Sequence, residues 1–146
     1  TINSLVSLSL LTSAVEFGSI AQPLGLGVND ITTDDNPQPI VMDNDGNVFE
    51  NVTVYAEDDL WETIANPTNK FQFKIANVTT ELFSFNWTAS TTGFTNLPTA
   101  AAIAVVDLNY SDATDSAEVD IHIEVPTDEP SGAKQSKVVF EAKRSR

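Results

Sequence analysis

The sequence predicts an all-β fold: an antiparallel two-sheet sandwich, jelly-roll-like, with an extended apolar N-terminal strand. Three observations predict it. About eight or nine short runs alternate apolar and polar residues, which is the period of a half-buried strand. Turn signals recur about every 8–12 residues. No long run carries a helical stripe. An immunoglobulin-like arrangement is the other sandwich that this pattern allows. One domain is expected from 146 residues, with core enough to fold without staples. There is no Cys, so disulfides and thiolate metal sites are excluded.

Residues 1–12 (TINSLVSLSLLT) carry no charge, Pro or Gly. As a strand they place Ile2, Val6, Leu8 and Leu10 on one face, with Ser4 and Thr12. As a helix they offer the shorter stripe Leu5, Leu8, Leu11 and Val15. An end this apolar is a sticky edge in water. Either it folds back as the first strand of its own domain, or it inserts as the missing strand of a neighbouring copy.

Residues 14–22 (AVEFGSIAQ) read as a short strand, broken by PLGLG. Residues 28–39, rich in Asp, Asn and Pro, read as a polar loop, and 40–42 as a brief strand. DNDGN at 43–47 is a hairpin turn signal. Val48, Val52 and Val54 share one face of the next strand. Phe71, Phe73 and Ile75 share a face of another. Phe83, Phe85 and Trp87 repeat the alternation, and period-two burial assigns these aromatics to the core. Residues 90–99 form a Thr-rich loop. Residues 100–110 allow a short helix at their start and read as a strand over 105–110. Val119, Ile121, Ile123 and Val125 alternate with Asp120, His122 and Glu124, a half-buried strand with an acidic outer face. After the turn PTDEPSG, Val138, Phe140 and Ala142 define a closing strand.

The net charge is -14, from 7 basic and 21 acidic residues. Such a chain repels nucleic acid and anionic membranes and attracts cations. Residues 1–69 contain no Lys or Arg, whereas Lys134, Lys137, Lys143, Arg144 and Arg146 crowd the end. That polarity fits either a solvated surface with a basic tail or head-to-tail attraction between copies. No apolar run is long enough for a membrane-spanning helix.

An enzyme is not expected. The one His lies between acids on an outward phase, no GxSxG elbow exists, and GLG is neither a dinucleotide fingerprint nor a P-loop. Calcium is the one cofactor the sequence suggests. Asp43, Asp45 and Asn47 stand at alternate positions around Gly46, a partial echo of a calcium loop without its twelfth-position Glu. Asp30, Asp34 and Asp35 could form a second cluster. A plain hairpin turn accounts for the same residues. Four Asn-X-Ser/Thr sequons stand at Asn51, Asn77, Asn86 and Asn109. Strand phase points Asn51, Asn86 and Asn109 to solvent, and puts Asn77 on the inward phase at a strand end.

Three stretches resemble secreted archaeal surface proteins. AVEFGSI is similar to the hydrophobic-Asp/Glu-Phe-Gly strand that opens many extracellular sandwich modules. DNDGNVFENVTVYAEDDLW resembles the N-x-G-N…N-V-T-V segment of filament and cell-surface domains. PTDEPSGAKQSKVVFEA resembles their closing hairpin. The family resembled is that of the archaeal bundling pili, related to TasA-like biofilm-matrix fibre proteins. The resemblance implies an N-terminal donor strand over residues 1–12, with assembly residues Ile2, Val6, Leu8 and Leu10. It implies a β-sandwich domain over 13–146. It further implies a homopolymer of identical subunits in an extracellular filament. A start without Met fits a signal peptide already removed, and the outward sequons fit a glycoprotein at the cell surface. The alternative is a secreted or cell-surface adhesion module, calcium-stabilised if the Asp43 loop binds an ion.

Overall fold

Alternating side chains dictate the strands, and a computed structural model shows how they pair. It describes residues 3–20, 27–30 and 37–146. Ile2, Asp34 and Asp35 lie outside the described residues, as does the side chain of Asp30. The strands in chain order are β1 (Leu8–Leu10), β2 (Val28–Asp30), β3 (Ile40–Asn44), β4 (Glu50–Ala56), β5 (Phe71–Ala76), β6 (Thr95–Asn96), β7 (Ala102–Leu108), β8 (Ser116–Ile123) and β9 (Val138–Arg144). Every pairing is antiparallel. No helix occurs among the described residues.

The strands form a six-stranded sheet, ordered β1-β3-β8-β5-β6 with β2 also on β8, and a three-stranded sheet ordered β7-β4-β9. From β3 onward the chain changes sheet at every connection except β5 to β6, which makes the sandwich jelly-roll-like. Inward residues of β3, β4 and β5 alternate strictly, and Met42, Val52, Val54, Phe73 and Ile75 meet between the sheets. Leu97, Leu108 and Val119 complete this fully buried centre.

Several local expectations are corrected. β8 is the centre of its sheet, so its acidic face is not solvated. Glu118 and Asp120 are buried, and His122 is half-buried against Phe94, with ring centroids 5.6 Å apart. Burial lowers the His122 pKa, against the opposing pull of Glu124, and Lys70 lowers it further. Residues 14–20 form no strand. They run irregularly, with Val15, Phe17 and Ile20 against the core. A strand, β2, falls inside the predicted polar loop. Residues 100–110 hold no helix, because β7 extends from Ala102.

The aromatic alternation at 83–87 is no strand either. Asn86 Oδ1 accepts the Ala89 N–H, and Ser90 Oγ donates to Asn86 O. These local bonds fold the segment into turns instead of a ladder. Of its aromatics only Phe85 is buried, while Phe83 and Trp87 face water.

The 43–47 turn is anchored by a side chain that the alternation alone would not select. Asn44 is fully buried. Its Nδ2 donates to Val48 O at 2.8 Å and Leu108 O at 3.0 Å, and its Oδ1 accepts the Gly46 N–H. Asn44→Ala leaves Leu108 O buried without this donor and removes two part-buried bonds, and should lower unfolding free energy by about 2–4 kcal/mol in urea titrations.

Candidate assembly interface

A sheet edge leaves half of its backbone groups without a ladder partner, so what covers each edge decides its chemistry. In the three-stranded sheet the outer edge of β7 is covered by the 84–91 turns. Asn86 N–H donates to Val106 O, Thr91 N–H to Ala104 O, and Asn109 N–H to Ser84 O. The outer edge of β9 has no strand beside it among the described residues. Glu57 N–H donates to Lys137 O, and Ser145 N–H to Phe49 O. The odd-numbered residues of β9 therefore exchange bonds with β4. The even-numbered ones, Val138, Phe140 and Ala142, turn their N–H and C=O to the open edge.

A cleft of about 1170 Å³ opens beside this edge. Ile40, Phe71, Ile121 and Ile123 of the larger sheet form one wall, and Val138 and Phe140 of β9 form another. The smaller sheet stops short of covering the larger one. Residues 13–20 lie over the gap, and they make no backbone hydrogen bond to β9.

The terminal segment pairs with β3 at the edge of the larger sheet; its Leu10 lines the same cleft, and Arg144 of β9 donates to Ser4 Oγ at 3.0 Å. Leu8 pairs with Asn44, and Leu10 with Met42. Beyond the ladder the segment crosses the 43–47 turn. Asp45 N–H donates to Ser7 O, and Asn47 N–H to Leu5 O. Leu5 N–H donates to Asn47 Oδ1 at 2.7 Å, and Asn47 Nδ2 donates to Asn3 O. Ser7 N–H donates to Glu50 Oε1 at 2.7 Å.

Two residues make this docking possible. A Cβ on Gly46 would stand 2.2 Å from Leu5 O, so only glycine admits the segment. Glu50 is fully buried on the inward phase of β4, and its Oε2 has no hydrogen-bond partner among the described residues. Burial raises its pKa, the Ser7 N–H opposes that, and Asp45 adds to it. Both residues were missed from sequence. The signal for Glu50 was present, since it shares parity with Val52 and Val54.

Docking leaves apolar surface in water. Of the predicted assembly face only Leu8 packs against the core, while Val6 and Leu10 are exposed. Leu5 is 55% exposed and Leu11 65%.

The other predicted residues are scattered. Asp43 accepts a short hydrogen bond from Ser116 Oγ, Asn47 holds the terminal segment, and Asp45 is exposed. No group of three or more His, Cys, Asp or Glu arranged to hold a metal ion occurs among the described residues. Of the sequons, Asn86 is exposed, and Asn51, Asn77 and Asn109 are half-buried. Asn51 Oδ1 accepts the Asp107 N–H, where φ is +56° at a bulge of β7. Asn109 Nδ2 donates to Thr114 Oγ1. The basic tail is largely paired within the chain: Lys134 with Glu62 and Glu129, Lys137 with Glu57, and Arg146 with Asp107. Lys143 and Arg144 form no ion pair among the described residues.

None of the protein-family models, curated proteins or solved structures compared with the chain matches it.

One carboxyl group near the turn gives a pH dependence. Asp115 is buried, and its pKa is raised to about 6 by that burial, by Asp43 and by Glu81, against a weaker pull from Ser116. The folded value lies above the unfolded one, so the native state binds the proton more tightly. The resulting stability is full below the ordinary value of 3.8 and is lost as pH rises through about 6. Its size is at most about 3 kcal/mol. Asp115→Asn should be more stable than the parent at pH 7.5 and should flatten the stability slope between pH 4 and 6. Urea midpoints at five pH values check both.

Proposed function

We propose that the protein is a structural subunit that assembles with identical copies by donating residues 1–12 to the cleft beside β9 of a neighbour. The edge of β9, unpaired among the described residues and beside a cleft lidded only by the irregular segment 13–20, carries this reading. A donated strand would take up the N–H and C=O groups of Val138, Phe140 and Ala142, as in β-strand addition. It would also bury the face that carries Val6 and Leu10, each worth roughly 1.5–3 kcal/mol on full burial. The role is architectural and extracellular, without a catalytic step.

In this reading the docked terminal segment is the unassembled state. The bonds to Asn47, Asp45 and Glu50 hold the strand on its own chain until a neighbour's cleft takes it. Polymerisation then exchanges an incompletely buried pairing for a more apolar one. A filament grows because donor and acceptor are different surfaces, so the contact is head-to-tail and need not close.

A second reading is favoured by the same docking. A secreted binding module would keep β1 permanently in its own sheet. Gly46→Ala separates the two. A methyl group there pushes Leu5 away and frees the segment. For a strand-donating subunit the variant should assemble at least several-fold faster than the parent by light scattering. For a self-contained module it should only melt lower and stay monomeric.

Two further variants test the acceptor side. Removal of residues 1–12 should leave a folded sandwich that forms no fibres in negative-stain images. Ala142→Pro should act from the other end. Its lost N–H faces the open edge and not β4, so the fold should lose only about 1 kcal/mol or less. Fibre growth should fall sharply. Normal filaments from either variant would sink the proposal.

A further inference from the structure

We propose that Asn86 is an N-glycosylation site whose first sugar residues pack on the ring of Phe83. The inference is independent of strand donation. Four sequons exist, and the described structure separates them. Asn51, Asn77 and Asn109 are half-buried, and Nδ2 of Asn109 is already donated to Thr114. Asn86 alone is exposed. Its Oδ1 is held by the Ala89 N–H at 3.1 Å, which fixes the carboxamide in a turn and leaves Nδ2 without a partner among the described residues.

Phe83 supplies the second, separate observation. It is 88% exposed, the most exposed of the large hydrophobic residues, and its φ is +66°. A bulky side chain in that region is strained, and a bare aromatic ring in water gains nothing from the fold. The strain and the exposure both persist at a residue three positions before Asn86. Phe83 and Asn86 line the same cavity of about 340 Å³, together with Phe49, Phe85, Asp107 and Arg146. The Arg146 guanidinium lies 3.8 Å from the centroid of Phe49 and 3.8 Å from Asp107 Oδ1. An aromatic floor with charged groups at its rim suits a saccharide, whose C–H faces stack on rings and whose hydroxyls seek hydrogen bonds.

The chemistry is a group transfer from an oligosaccharide carried on an isoprenoid phosphate. Asn86 Nδ2 attacks the anomeric carbon. A C–N bond forms, the C–O bond to the phosphate breaks, and the phosphate leaves with the bonding pair. The amide nitrogen gives up one proton to solvent. The sugar then lies over Phe83 and shields it from water.

Two measurements test this. Intact-mass and peptide analysis of protein from its native source should show hexose-type mass on the peptide containing Asn86, and Asn86→Gln should remove it. An Asn86 peptide of bare polypeptide mass would overturn the proposal. Phe83→Gly then tests the packing. In unglycosylated protein from a host without the transfer machinery it relieves the strain and should raise the melting midpoint by roughly 2–4 °C. In the glycosylated protein the same change removes the ring beneath the sugar and should lower the midpoint. An equal shift in both forms would overturn the packing of the glycan on Phe83.

Discussion

The backbone of an edge strand must find partners or meet water, and this fold is arranged around one edge where the question is left open. Six strands face three. The side of the small sheet that ends in β7 is closed by turns drawn from residues 84–91. The side that ends in β9 is closed by no strand among the described residues. Ile40, Phe71, Ile121 and Ile123 are buried members of the core that also line a cleft, under the irregular segment 13–20. Everything distinctive about the terminal segment follows from its position relative to that gap. It has the composition of an inner strand and the location of an outer one.

A chain of charge -14 has to dispose of carboxylates, and the fold does so in two ways. Some are drawn inside. Glu50 holds the Ser7 N–H, and Asp115 sits near Asp43 and Glu81 with its proton held more tightly than usual. Others are matched to the few cations within the chain, as Glu124 is to Lys70 at 2.8 Å. Folding also brings part of the basic end onto acids of the same chain. Lys137 reaches Glu57, and Arg146 reaches Asp107.

Period two was the legible part of the fold. It located β3, β4, β5, β8 and β9, and with them the class of architecture. It failed where local bonds outcompeted the ladder, as at Asn86, and where a strand was central instead of edge. Nothing in the alternation of β8 says that both of its faces will be covered, so Asp120 and His122 read as solvated. Of the candidate interface, the apolar terminus was plain from its composition. The acceptor was not, because an open edge is a property of sheet order, and no single stretch encodes it. The requirement for Gly46 was equally hidden, since a turn glycine and a glycine under a crossing strand look alike. Glu50 was readable as an acid on an apolar phase.

Glu129 has a consequence of a different kind. Its carboxylate accepts the N–H groups of Glu62 and Thr63 and the Thr63 hydroxyl, and Lys134 lies 3.5 Å away. Burial works to raise its pKa, and these donors outweigh it and hold it below the usual carboxylate range. The bond spans 67 positions of the sequence. In a protein without cysteine it is a tie across a long loop, a place where a disulfide would otherwise restrict the unfolded chain. A tie of this sort is made and broken by protons instead of electrons. Reducing agents leave it untouched. Its contribution is present above the ordinary Glu value and is lost as acid carries the pH down through the depressed one.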